Sequence, residues 1–255
     1  MENVWNGFRQ LEIFKIEEEA KDIKSFYLRA TDGKPLKEYK CGQFLPLKIE
    51  TDDEVIKKEM RRYSLSGDPK KDYYRLTIKR VPNGKVSGYF HESINVGDTI
   101  LAMPPFGKFT LTEDSNKPLV LLSGGIGITP ILSMLYGAKE QSRDVYFVEA
   151  VLNSDNLALN SDVQGIKKVK NFKEIKIFSE PLESDIKGKD FDEEGFITKE
   201  WIKNNLPLNG EFFFCGPTLF MKSIRNSLKD LGVKEDNINF EFFGKEEFYY
   251  LFFRF

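Results

Sequence analysis

The chain has 255 residues, enough for two compact domains or for one large barrel or sandwich, and two domains is the better expectation. Charged residues make up 31% and hydrophobic residues 40%, with 38 Lys and Arg against 40 Asp and Glu, a globular and slightly acidic balance that argues against a nucleic-acid binder. Two distant cysteines, Cys41 and Cys215, and the lone His91 argue against a disulfide framework, a zinc or iron–sulfur site, a bis-histidine haem and a Ser-His-Asp triad, so no metal site is expected and redox chemistry would need an organic cofactor.

The N-terminus lacks a basic segment followed by an apolar run, and no apolar stretch approaches the ~20 residues that span a bilayer, so a cytoplasmic protein without a membrane span is expected. The first part then reads as short β segments at 8–16, 25–30, 43–49, 73–80, 98–103 and 108–111, separated by turn pairs such as Asp32-Gly33 and Asn83-Gly84. Only 87–94 suggests a short helix there. This pattern predicts an antiparallel barrel or sandwich.

After the polar linker at 113–117 the texture changes. Strands are predicted at 119–123, 145–152, 175–179, 211–215 and 237–243, with helices at 130–140, 198–204 and 219–231. Strands alternating with helices imply a parallel sheet, so the expected fold is two-domain, β followed by α/β. The expected division is residues 1–114 and 115–255.

Two turns carry chemistry. LVLLSGGIGITP (119–130) places Gly124, Gly125 and Gly127 between an apolar strand and a helix whose first residue is expected at Pro130, with Thr129 as its cap. Glycines let backbone amides approach a diphosphate, and a helix N-terminus adds free N–H donors and partial positive charge. The segment is neither G-x-G-x-x-G nor a P-loop, and an ordinary tight turn also fits it. EFFFCGPTLF (211–220) is a second buried strand that ends in an open turn, Cys215-Gly216-Pro217, on the same sheet edge. Ligands of α/β sheets bind outside such carboxyl ends. In the β half, MRRYSLSG (60–67) offers Arg61, Arg62, Tyr63 and Ser64 within one extended stretch, either a charged strand end or a site for an elongated anionic ligand.

Taken in order, Arg61-x-Tyr63-Ser64, Gly84-x-x-Ser87, GGIGITP, CGP and Glu241-Phe242-Phe243-Gly244 closely resemble the ferredoxin–NADP+ reductase family. The likeness is greatest to the reductase domain of flavohaemoglobins and covers roughly residues 6–244.

The resemblance implies an N-terminal FAD-binding β-barrel and an NAD(P)-binding α/β domain. It implies that Arg61, beside Arg62, holds the FAD diphosphate, that Tyr63 packs along the isoalloxazine, and that Ser64 hydrogen-bonds near flavin N5. Phe44 sits where the family has an aromatic near the flavin or adenine, and Gly84, Val86 and Ser87 place a helix start at the diphosphate. Gly124, Gly125, Ile126, Gly127, Ile128, Thr129 and Pro130, with Cys215, Gly216 and Pro217, are expected to bind NAD(P)H. Phe242, Phe243 and Gly244 approach the flavin from the second domain. Ser64, Cys215 and Glu241 are the candidate catalytic residues, with Ser64 tuning N5 and Glu241 relaying a proton or charge.

The implied activity is NAD(P)H-dependent flavin oxidoreduction, with electrons passed to a separate acceptor such as a ferredoxin, a globin or an oxygenase component. NADH is favoured because no arginine that would clamp a 2′-phosphate follows LNSDN (152–156). A flavin reductase that releases its reduced flavin, and a non-catalytic electron-transfer subunit, are the alternatives.

Three features depart from the family or stand apart. Cys41 replaces the proline common before Gly-Gln, a change expected to alter loop rigidity more than chemistry. The charged run at 50–58 reads as a solvated loop. The aromatic tail KEEFYYLFFRF (245–255) packs on its own protein, docks a partner or membrane surface, or is a gene-end artefact.

Overall fold

The computed structural model describes residues 5–112, 115–166 and 171–243. Gly244 and the tail at 245–255 lie outside the described residues.

The first half is one antiparallel sheet of six strands: β1 (Arg9–Ala20), β2 (Ile23–Ala30), β3 (Phe44–Ile49), β4 (Arg61–Ser64), β5 (Tyr74–Lys79) and β6 (Thr99–Ala102), ordered β4-β3-β6-β1-β2-β5. A bridge between Leu65 and Leu76 joins the two edge strands and closes the sheet into a barrel. Closure follows from the alternation of apolar residues, which turns Leu11, Ile13, Phe26, Leu28, Leu45, Leu47 and Leu76 into one core. One end of that core is covered by α1 (Lys85–Glu92), whose Phe90 meets Phe26 edge-on at 5.0 Å.

The second half is a parallel sheet: β7 (Leu119–Gly124), β8 (Val145–Val151), β9 (Phe172–Phe178), β10 (Glu193–Glu194), β11 (Glu211–Gly216) and β12 (Ile238–Phe242). Its order is β10-β9-β8-β7-β11-β12. One face packs on α2 (Ile128–Ala138) and α3 (Asn160–Ile166), the other on α4 (Lys199–Asn205) and α5 (Thr218–Asp230). Burial on both faces explains the unbroken apolar runs LVLL and FFFC. The chain runs from β7 out to β10 on one side and resumes with β11 on the other, so the strand order reverses between β7 and β11. That reversal point is where α/β sheets open a ligand crevice.

Several expected elements differ. The segment 108–111 forms no strand, because Phe109 and Leu111 turn into the seam between barrel and α2 and join the core of the second half. Helix α2 starts at Ile128, ahead of Pro130, and Thr129 lies inside its first turn with Oγ1 donating to Ile126 O at 3.1 Å instead of capping it. Pro130 fits there because first-turn amides have no intrahelical partner to lose. Helix α3 went unread because Asn160, Asp162 and Gly165 are weak helix formers. Its Val163 and Ile166 are held by burial against the sheet.

Candidate functional site

The Gly-rich turn after β7 and the turn after β11 pack backbone against backbone. A Cβ on Gly127 would stand 2.1 Å from Cys215 O and 2.7 Å from Gly216 N, so this contact admits only glycine. Gly125 has φ +51°, with nothing within 4 Å of where a Cβ would stand, and so presents bare backbone to open space. Gly127 caps α2 with no side-chain bond, which leaves the first amides of that helix free of any side-chain acceptor. An exposed, amide-rich turn of this kind fits the diphosphate of a nicotinamide dinucleotide.

Register carries a row of polar side chains across the carboxyl end of the sheet. Glu149 pairs with Ser123, Ser123 with Cys215, and Cys215 with Glu241, so all four project from one face. Cys215 Sγ donates to Glu241 O at 3.4 Å. Burial, with the Glu241 charge beside it, pushes the Cys215 thiol well up, so it stays a neutral thiol at neutral pH. Burial pushes the Glu241 carboxyl up to about 7, and the Arg62 guanidinium pulls in the opposite direction. A carboxyl poised there can hold or release a proton near neutral pH. Arg62 belongs to the barrel and Glu241 to the last strand of the other half, so the charge of one half acts on the carboxyl of the other.

On the barrel side, β4 lies beside β3 with Phe44 opposite Ser64 and Leu45 opposite Tyr63. Arg62 Cζ stands 5.6 Å over the Phe44 ring, and Phe44 meets the exposed Phe106 edge-on at 6.0 Å. Tyr63 packs edge-on to Phe90 at 5.7 Å, and burial pushes its phenol up to about 12. Ser64 is buried. Arg61 projects into solvent and bonds Glu59 at 2.6 Å. Gly84 caps α1 without a side-chain bond, and Ser87 Oγ accepts from Val81 N at 3.2 Å while donating to Gly84 O at 3.3 Å, which holds that loop closed. Val86 points into the barrel core, so only its backbone faces the helix start. Two exposed arginines, a stripe of rings and an uncapped helix start fit an elongated dinucleotide such as FAD.

The site residues thus fall into two groups. Gly124 to Pro130, Cys215 to Pro217 and Glu241 share the switch-point crevice, and Phe44 with Arg61 to Ser64 lines the barrel wall. Phe243 is exposed beyond β12, and Phe242 packs edge-on against Phe240 at 5.5 Å within the sheet layer. Cys41 is a packing residue of the seam: a Cβ on Gly137 of α2 would stand 2.7 Å from Cys41 Sγ. Its place is therefore set by the helix across the seam as well as by its own loop.

Sequence reading missed Glu149. It is fully buried in β8, neither carboxyl oxygen has a hydrogen-bond partner, and burial pushes it up to about 8. Ser123 Oγ beside it is also unpartnered. A lone Glu in an apolar strand, VYFVEAV, is the signal that was available.

Comparison with known proteins agrees with this geometry. Residues 10–111 match the model of the oxidoreductase FAD-binding domain, and residues 121–226 that of the oxidoreductase NAD-binding domain. The chain belongs to the ferredoxin–NADP+ reductase family. It is 42% identical over 252 residues to a flavohemoprotein of Bacillus cereus, covering 95% of this chain and 62% of that protein. It thus spans under two thirds of that relative's length.

Among solved structures, the FAD/NAD-binding domain of the nitric oxide dioxygenase of Vibrio cholerae superposes with a TM-score of 0.83 at 25% identity, over 94% of this chain and all of that one. A flavohemoglobin of Malassezia yamatoensis with bound FAD and haem gives 0.81 at 25% identity, over 93% of this chain and 60% of that one. These matches make the chain an NAD(P)H-dependent flavin oxidoreductase. Among the described residues, no helix is long and apolar enough to cross a membrane.

Proposed function

We propose that this chain takes electrons from NADH through FAD held on the barrel and hands them to an acceptor protein, a globin, a ferredoxin or an oxygenase component. The observation that carries the reading is the close backbone contact of Gly127 with Cys215 and Gly216 at the carboxyl end of the sheet, next to Glu241, on which the Arg62 charge of the barrel acts. FAD, when bound, supplies the conversion of a two-electron donor into single electrons.

The residues of the chain bind and orient. Arg61 and Arg62 offer charge to a diphosphate, Phe44 and Tyr63 offer aromatic surface, and Ser64 offers a hydroxyl at the end of β4. Gly125 and the amides of α2 take the dinucleotide, and Cys215 contributes a neutral thiol at the floor of the crevice. Glu241 holds or moves the proton. Flavohemoprotein relatives support a haem acceptor, as does the likeness to a flavohemoglobin with bound FAD and haem.

The preference for NADH rests on the loop after β8. Asp185 accepts from Ser154 N at 3.3 Å and from Leu182 N at 2.9 Å, and a hydrogen bond from Ser154 leads the causes that hold its carboxyl below the usual range. Together with Asp155 it gives this loop two carboxylates, which supports NADH because a 2′-phosphate bound beside this loop would need a cation.

The test is ferricyanide reduction by the FAD-loaded chain with each dinucleotide. The expected result is kcat/KM at least about tenfold higher with NADH, equivalent to about 1.4 kcal/mol of preferential transition-state binding. Equal or inverted values would overturn the preference, and no turnover with either would overturn the activity.

A further inference from the structure

A buried ion pair joins the two halves at a point no site residue occupies. Arg75, the second residue of β5, donates through Nη2 to Ser66 O at 2.7 Å and through Nη1 to Asp162 Oδ2 of α3 at 3.0 Å. Its side chain is 5% exposed and that of Asp162 20%. The second Asp162 oxygen accepts from the Tyr136 hydroxyl of α2. Burial alone would lower the Arg75 guanidinium, but the Asp162 carboxylate offsets this and its affinity for the proton ends up raised. The guanidinium therefore stays charged inside the seam. Another cross-seam pair, Lys70 with Glu140 at 2.7 Å, is exposed at both ends and is worth little.

The connections of this pair matter more than its strength. Ser66 lies two residues past the end of β4, the strand that carries Arg61 and Tyr63, and its hydroxyl is itself tied to Thr77 at 2.8 Å. Tyr136 lies on the helix that begins at the Gly-rich turn. Hydrogen bonds thus run from the segment just past β4, through Arg75 and Asp162, to the helix that begins at the Gly-rich turn.

An apolar contact would hold the halves together equally well, since replacing a buried ion pair by apolar residues is often neutral or stabilising. What the apolar contact lacks is direction. A planar guanidinium bonded to both halves sets their distance and their angle at once.

We propose that Arg75, Asp162 and Tyr136 form a latch that fixes the orientation of the α/β half on the barrel, making Arg75 a positioning residue for hydride transfer. This rests on the functional reading above. A change of about 1 Å in the placement of reacting groups costs up to about a hundredfold in rate, so loosening the latch should act on the chemical step and not on cofactor capture.

The test uses the apolar double variant Arg75→Met with Asp162→Leu, the single variant Tyr136→Phe, which keeps the ring and removes one bond, and Arg75→Lys as the conservative change. In the FAD-loaded protein, the limiting rate of flavin bleaching by NADH should fall by about tenfold or more in the double variant and less in Tyr136→Phe, with FAD affinity and NADH Kd within about twofold of wild type. Arg75→Lys should recover part of the rate.

A second readout needs no cofactor. Spin labels on Lys79→Cys and Lys203→Cys, in a Cys41→Ser background, should show a broader distance distribution in the double variant. Should the double variant not fold, Tyr136→Phe gives the same two readouts. Wild-type bleaching rates together with unchanged label distances would overturn the latch. If wild type bleaches no flavin, the functional reading fails, and the label distances alone then decide the latch.

Discussion

Glu149 shows how one residue tilts the response of a whole fold to pH. Its carboxyl is buried without partners, and burial raises it from 4.5 to about 8, so the folded chain holds this proton more tightly than the unfolded chain does. The stability it contributes is therefore complete below about pH 4.5 and is lost as pH rises towards 8. The slope for one such group is about 1.4 kcal/mol per pH unit. Glu149→Gln removes the titration, so its stability relative to wild type should rise by on the order of 3 kcal/mol between pH 5 and pH 8. Urea midpoints at both values check this, and a constant difference between the two proteins would refute it. Glu241 is raised for the same reason of burial, but the Arg62 charge offsets part of the rise and leaves it at about 7, which suits a proton relay.

At the scale of elements, what matters is which glycines sit between two backbones. Gly127 separates the turn after β7 from the end of β11, and a methyl group there would stand 2.1 Å from a carbonyl oxygen. Gly127→Ala should lower stability by about 1–3 kcal/mol through overpacking and weaken dinucleotide binding in step. Gly165, in α3, has nothing within 4 Å of its Cβ position, and Gly165→Ala should raise stability by about 0.5–1 kcal/mol. Thermal unfolding of the pair is the measurement, and shifts of the same sign would show that the crevice turn is not packed as described. Helices of the α/β half differ in how their starts are satisfied. Thr198 caps α4 by accepting from Trp201 N at 3.1 Å, whereas α2 has no side-chain cap. The α2 start is thus held by backbone alone, Ile128 N donating to Gly125 O and Ile126 O.

For the whole molecule, ligand binding and stability are one equilibrium. FAD bound to the native barrel and not to the unfolded chain should add about 2.7 kcal/mol at a free concentration a hundred times its Kd. Titrating FAD during thermal unfolding checks this, and a midpoint independent of FAD would show that the barrel wall does not hold it.

The sequence by itself determined the two fold classes, because period-two alternation and continuous apolar runs are local consequences of one-sided and two-sided burial. It also determined the positions of the Gly-rich turn, the Cys-Gly-Pro turn and the Arg-x-Tyr-Ser strand, since bare backbone and fixed charge are written as residue types. It misplaced 108–111 as a strand and Thr129 as a cap, since both belong to the seam and the turn, where tertiary packing overrides local preference.

Only the tertiary structure decided that the Arg62 charge acts on Glu241, that Cys41 packs on Gly137 and that Arg75 reaches Asp162. Those pairs lie 179, 96 and 87 residues apart in the chain by simple subtraction of their numbers. No periodicity carries over such a separation, because contact between distant segments exists only after each half has closed its own core and the two cores have met.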